Sequence, residues 1–170
     1  MLTFVDFEKA FDTVEHISVI NALKQHGIEN QYIEVLKYIY TNSSSQIISD
    51  RVSSNFKIER GVKQGDPISP NLFNAVLEQI FRKLNWDDKN VGVNINGKQL
   101  HHLRFADDVV IISETCEETE RMLNELYLQS RKDGLKIHMG KTKTMCNKFV
   151  KVENINIANN QMSWLMSIFI

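Results

Sequence analysis

Two adjacent acids, Asp107 and Asp108, stand between apolar runs at 103–105 and 109–112, and a third acid, Asp6, follows Leu2-Thr3-Phe4-Val5. Apolar runs of this length read as strands, which places Asp107 and Asp108 at the bend of a buried strand pair. A carboxylate in apolar surroundings needs a cation, a helix N-terminus or water beside it. No Lys or Arg lies between Phe105 and Ser113. The partner is therefore either a side chain distant in sequence or a bound metal ion. If the two strands lie side by side, Asp6 and Asp107 face one pocket, and two anions ~4 Å apart repel by about 4 kcal/mol at an effective dielectric near 20. A divalent ion removes that conflict. Magnesium suits such a site, because it is held by one or two carboxylates and keeps its other positions for water or phosphate oxygens. The plain alternative is a hairpin turn and nothing more, since Asp is common in turns; a lone Asp-Asp pair favours it.

The elements that must position these acids follow from the spacing of apolar residues. After the first strand, Val14, Ile17, Ile20 and Leu23 recur at three and four residues and predict a helix that Gly27 stops. Ile33, Leu36, Ile39 and Tyr40 predict a second helix over 31–40, and 46–48 with 56–58 read as a hairpin. Residues 60–70, Arg-Gly-Val-Lys-Gln-Gly-Asp-Pro-Ile-Ser-Pro, carry two glycines and two prolines, which predicts a shaped loop with exposed backbone. Ser69 is expected to cap the next helix, whose stripe runs Phe73, Val76, Leu77, Ile80, Phe81 and Leu84. A rigid loop feeding a helix N-terminus, with Arg60, Lys63 and Gln64 beside it, suits an anionic or nucleotide ligand. A tight connection with no ligand explains that block equally well.

Asn96-Gly97 predicts a hairpin turn between 91–95 and a strand segment that begins at 100. Thr115 and Glu118 form a capping box that opens a helix through Met122, Leu123, Leu126 and Tyr127, closed by Gly134. The segment 135–145 then predicts a short strand followed by a turn that holds Lys141 and Lys143.

At 170 residues the chain fits one domain. With 20 Lys plus Arg against 21 Asp plus Glu, the net charge of -1 gives no signature of a free-standing nucleic-acid binder. It leaves room for a catalytic subdomain whose basic partners lie elsewhere. Cys116 and Cys146 make neither a metal pattern nor a disulfide framework, which predicts ordinary thiols in a reducing compartment. No signal peptide and no uninterrupted apolar run of ~18 residues occurs, so membrane spanning is not expected. The chain opens directly in a strand-like run, as though cut from something longer.

Taken in order, the blocks Phe4-Val5-Asp6-Phe7-Glu8-Lys9-Ala10-Phe11-Asp12, 60–70, Phe105-Ala106-Asp107-Asp108 and 134–145 resemble the reverse transcriptases of non-LTR retrotransposons, over Leu2 to about Gln161. The resemblance implies an α+β polymerase palm: a small antiparallel sheet carrying the catalytic Asp residues, backed by helices. Part of the fingers would be present, and the rest of the fingers, the thumb and any endonuclease region missing. It implies two magnesium ions, with manganese as a substitute, held by Asp6, Asp107, Asp108 and the Phe7 carbonyl. It implies that Phe11 lies under the incoming sugar and selects deoxynucleotides, and that Gln64 and Gly65 touch the incoming nucleotide. Arg60, Lys63 and Pro67 would then meet template and primer. Lys143 would act as general acid near the triphosphate, with Lys141 the lesser candidate for that role and a nucleotide contact.

The implied partners are an RNA template, a DNA primer and a dNTP, in the nucleus and cytoplasm. His138 departs from the family's usual Asn. The tail 162–170 departs altogether. A back-translation with one restored base converts residues 161–170 to QIELVNEYIY, a family-like continuation, so a frameshift is expected there. The activity expected of the family is RNA-directed DNA synthesis, with little or none in the isolated chain. One rival is a non-catalytic remnant that binds RNA or protein. Another is a two-metal nuclease, in which Phe11 and the 60–70 loop would have no role.

Overall fold

The computed structural model describes residues 1–48, 54–158 and 160–164. In chain order the elements are β1 (Leu2–Val5), α1 (Ala10–Thr13), α2 (His16–Gln25), α3 (Asn30–Thr41), β2 (Ser44–Ser45), β3 (Phe56–Lys57) and α4 (Ser69–Leu84). They continue with β4 (Val93–Ile95), β5 (Lys98–Leu100), β6 (His102–Phe105), β7 (Asp108–Ile112), α5 (Cys116–Lys132), β8 (Lys143–Met145), β9 (Asn156–Ile157), β10 (Asn160–Gln161) and β11 (Ser163–Trp164). They fall into two units, Met1–Glu8 with Ile80–Ile170, and Lys9–Gln79.

The first unit is built on a five-stranded sheet in the order β11-β8-β1-β7-β6. β1 pairs antiparallel with both β7 and β8, and β6 pairs antiparallel with β7, while β11 runs parallel to β8. Alternation along the strands decides which side is buried. Thr3, Val5, Val109, Ile111 and Thr144 are buried on one face, where the Thr3 and Thr144 hydroxyls bond at 2.9 Å. On the other face Phe4 is 41% exposed, Leu103 53% and Phe105 83%. The expectation of a buried strand pair is thus corrected: β7 is interior, whereas β6 is an edge strand with its apolar side chains in solvent. The Asn96-Gly97 turn is as expected, with both residues at positive φ and Ile95 paired to Lys98.

Helix α5 buries Met122, Leu123 and Leu126 completely. The Thr115 hydroxyl accepts the Glu118 N–H at 3.1 Å, while the Glu118 carboxylate reaches back to the Glu114 N–H at 2.7 Å and the Gly92 N–H at 3.0 Å. The box therefore closes one residue earlier than the sequence pattern implies and ties the helix start to the β4 approach. Thr115→Ala is expected to destabilise the chain by about 1 kcal/mol, the usual cost of a lost cap, read from a urea midpoint with unchanged slope.

In the second unit α2 buries Ser18, Val19, Ile20, Ala22 and Leu23. Ile17, expected in the stripe, is 63% exposed. Helix α3 fully buries only Ile33; of the other residues of the expected stripe, Leu36 and Tyr40 are half-buried and Ile39 is exposed. The predicted hairpin is shifted: Ser44–Ser45 pairs with Phe56–Lys57, and the intervening residues 49–53 lie outside the described ones. Phe73, Val76 and Leu77 are buried as predicted. Ser69 does not cap its helix. Its hydroxyl is buried without a hydrogen-bond partner, and in the loop ahead of the helix the Asp66 carboxylate accepts the Ile68 N–H at 3.1 Å. Both cysteines are free and buried. Among the described residues no helix is long and apolar enough to cross a membrane.

Candidate active site

The acids of the first unit gather at one end of the five-stranded sheet. β6 and β7 are joined by Ala106 and Asp107 alone, with Phe105 paired to Asp108. Ala106 turns the chain at φ 53, a left-handed conformation that costs an L-residue roughly 1 kcal/mol or more. Asp107 and Asp108 are both exposed. On the neighbouring strand the ladder runs to Val5 opposite Val109. One further step in that register sets Asp6 across from Asp108, on the side of the sheet that carries Leu2 and Phe4.

Asp6 is held by its backbone. Its carbonyl accepts the His138 N–H at 2.7 Å, and its own N–H donates to the buried Thr142 hydroxyl at 3.3 Å. Phe7 forms an antiparallel bridge with Ile137, closed by the Asp6 carbonyl and by the Glu8 N–H, which donates to the Lys136 carbonyl at 2.8 Å. Bonding alternates from edge to edge along a strand, so the Phe7 carbonyl points away from that bridge. The Phe7 side chain is buried. Beyond it, Glu8 pairs with Lys136 at 2.8 Å, and this hydrogen bond holds the Glu8 carboxyl below its usual range.

The two lysines separate. Lys141 lies in the turn, and its Nζ is 3.8 Å from Asp6 Oδ2. Lys143 is not in the turn as expected: it opens β8, opposite Phe4. The turn is shorter than the sequence implies because the Lys141 and Thr142 N–H groups both bond back to the His138 carbonyl, at 3.1 and 2.9 Å. Among the described residues, no three His, Cys, Asp or Glu side chains stand close enough together to hold a metal ion. The donor set nonetheless fits a hard divalent cation. Asp6 Oδ2 is inaccessible to solvent and has no hydrogen-bond donor, and the nearby Asp107 and Asp108 offer only carboxylate oxygen.

The second unit carries the other expected residues. Phe11 is half-buried, and its ring stacks on Phe73 at 4.9 Å. Its packing role and an exposed edge coexist. The 60–70 loop is clasped to the segment after Phe11. Val62 N–H donates to the Phe11 carbonyl at 2.7 Å, and Gly61 N–H to the Val14 carbonyl at 2.8 Å. Arg60 bridges Glu15 in the backbone and pairs with its carboxylate at 3.3 Å. The Gln64 amide donates to Asp12 Oδ1 at 3.0 Å, a partner that the sequence reading missed; residues 52 apart carry no local signal of such a contact.

Gly65 has φ 85 and open space where a side chain would be, and Lys63 and Pro67 are exposed. Asp12, Tyr40, Ser43, Arg60, Lys63 and Gln64 are among the residues lining a cleft of about 770 Å³. Burial raises the Tyr40 phenol above its ordinary pKa, and the Asp66 charge adds to the effect. Its ring also stacks on His16 at 4.4 Å.

Residues 1–166 match the family described as Reverse transcriptase (RNA-dependent DNA polymerase). The chain is similar to the retrovirus-related Pol polyprotein from type-1 retrotransposable element R2 of Nasonia vitripennis, 29% identical over 96% of this chain and 17% of that protein. It is also similar to the Pol polyprotein from type-2 retrotransposable element R2DM of Drosophila melanogaster, 31% identical over 83% of this chain and 13% of that protein. A Pol polyprotein from an R2 element of Popillia japonica is 38% identical over 65% of the chain. The chain thus spans less than a fifth of the length of the first two.

Proposed function

Because the chain belongs to the reverse transcriptase (RNA-dependent DNA polymerase) family, in its non-LTR retrotransposon branch, we propose that it is the palm, with part of the fingers, of an enzyme that copies RNA into DNA. The observation that carries this reading is the ladder that ends at Val5 opposite Val109, which leaves Asp6 and the Asp107-Asp108 turn at the same end of one sheet.

In this proposal Asp6, Asp107, Asp108 and the Phe7 carbonyl would hold two magnesium ions. When bound, such ions activate a primer 3′-hydroxyl and stabilise the leaving pyrophosphate. The chain's own residues do the positioning. Backbone bonds to His138 and Thr142 hold Asp6 at the strand end, and the two-residue turn offers Asp107 and Asp108 to solvent where a phosphate can approach. Phe11, braced on Phe73, presents a flat ring that a 2′-hydroxyl would strike. Gln64, oriented by Asp12, and Gly65, which has no side chain to obstruct an approach, take the incoming nucleotide. Arg60, Lys63 and Pro67 meet template and primer. Lys143 is proposed to donate a proton to pyrophosphate, with Lys141, whose Nζ lies 3.8 Å from Asp6 Oδ2, as the lesser candidate.

The tail 162–170 is proposed to be frameshifted relative to the family; of it, residues 165–170 lie outside the described ones. The isolated chain is proposed to extend primers little or not at all, since duplex clamping and most phosphate-binding charge are expected elsewhere. Primer extension on an RNA template with magnesium, run beside Asp107→Ala, tests this. Robust extension that the substitution abolishes would show the chain to be self-sufficient. A chain that binds RNA, but whose calorimetric magnesium signal is absent, would favour the non-catalytic remnant.

A further inference from the structure

We propose that Lys141 is the resident counter-ion of Asp6, which keeps the carboxylate neutralised until a divalent ion takes its place and is released by that exchange. The inference rests on the metal-site reading above and deepens it, by naming what the ion must displace.

His138 N–H bonds to the Asp6 carbonyl, the His138 carbonyl accepts from both Lys141 and Thr142, and the Thr142 hydroxyl accepts from the Asp6 N–H. These bonds fasten the Lys141 backbone to the backbone of the acid it neutralises. The lysine therefore stays at the site even when its ammonium leaves the carboxylate.

The contact itself is poised for exchange. Asp6 Oδ2 has no hydrogen-bond donor although solvent cannot reach it, and the Lys141 ammonium stands 3.8 Å away, beyond hydrogen-bond distance. The ammonium neutralises the oxygen through its field without occupying its lone pairs. The oxygen thus keeps unused lone pairs with which to take a ligand bond at about 2.1 Å once the side chain beside it moves aside. With the lysine side chain 66% exposed and the Asp6 side chain 39% exposed, the ion pair is of a weak kind that is readily given up. A divalent ion on Oδ2 repels the ammonium, so the two occupancies exclude each other.

Two neighbouring cations are placed differently. Lys136 is committed to Glu8 at 2.8 Å, and Lys143 lies within β8 opposite Phe4. A released Lys141 side chain is then available to an anionic group arriving with the metal, so ion binding and phosphate binding are coupled through one side chain.

The test is a Mn²⁺ titration of the whole chain, read by the electron paramagnetic resonance of the free ion, with no turnover required. Lys141→Met should tighten Mn²⁺ binding by about three- to tenfold, the effect of removing one nearby unit charge in a partly screened site. Lys141→Arg should restore wild-type affinity. Lys143→Met, which removes equal charge from the adjoining strand, should give less than half the effect of Lys141→Met. An unchanged or weakened Lys141→Met titration overturns the inference, as does a Lys143→Met effect of equal size. Asp6→Asn separates this from the underlying reading: if it leaves Mn²⁺ binding unchanged, or if the wild-type chain binds no Mn²⁺, the metal site itself is wrong and the exchange falls with it.

Discussion

Asp6→Asn and Asp107→Ala should each lower primer extension by at least about a thousandfold in an active protein that carries this domain, while leaving the fold of the chain nearly untouched. The first half follows from the proposed chemistry: removing a ligand from a two-ion site forfeits several kcal/mol of charge stabilisation in the transition state, and each 1.4 kcal/mol is about tenfold in rate. The second half follows from the structure. Asp107 is exposed in its turn. The ion pair of Asp6 with Lys141 is a partly exposed 3.8 Å contact, so its loss shifts stability by roughly 1 kcal/mol or less. An Asn at position 6 also removes the charge from an oxygen that has no donor in the metal-free protein. Measuring extension and the urea midpoint on the same variants checks both. A variant that loses activity and midpoint together would assign Asp6 a structural role.

Gly61→Ala should show the opposite pattern, a large loss of stability by a residue with no chemistry of its own. Gly61 has φ 87, and a Cβ there would lie 2.8 Å from the Asp12 carbonyl oxygen and 2.9 Å from both the Asp12 Cα and the Phe11 carbonyl oxygen. Those neighbours are backbone atoms, themselves fixed by the Gly61 N–H bond to Val14 and the Val62 N–H bond to Phe11. Nothing nearby is a flexible side-chain end that could swing aside. The positive φ and the overlap together are expected to cost about 2 to 4 kcal/mol. The unfolding midpoint should fall accordingly, and the Gln64 to Asp12 contact at 3.0 Å should loosen with the clasp. In contrast, Gly65→Ala meets no atom within 4 Å and should cost only the strain of its φ of 85, about 1 kcal/mol. Comparing the two variants isolates the close approach from the backbone conformation.

The sequence by itself determined the elements, because these depend on short-range pattern. The apolar runs on either side of Asp107-Asp108, the Asn96-Gly97 turn, the Thr115 cap and the stripe of α4 are all set within a few residues. It also carried the four blocks by which the family is recognised. Edges, faces and partners were decided only by the tertiary structure.

Alternation says which residues share a face of β6, but not whether that face is covered, so Leu103 and Phe105 were expected inside and lie outside, as Phe4 does on the interior strand β1. An apolar stripe on α3 cannot report whether a second layer covers it, and among those residues only Ile33 is buried. Ser69 is a sound helix-capping type, but its place in the packed structure left its hydroxyl buried without a partner, while Asp66 turned the loop just ahead of the helix. That Lys141 stays in the turn while Lys143 opens β8 depended on two bonds back to the His138 carbonyl. Each of these outcomes depends on groups far apart in the chain becoming neighbours. Spacing along a polypeptide fixes local geometry, but distances through space are set by how the strands register and pack.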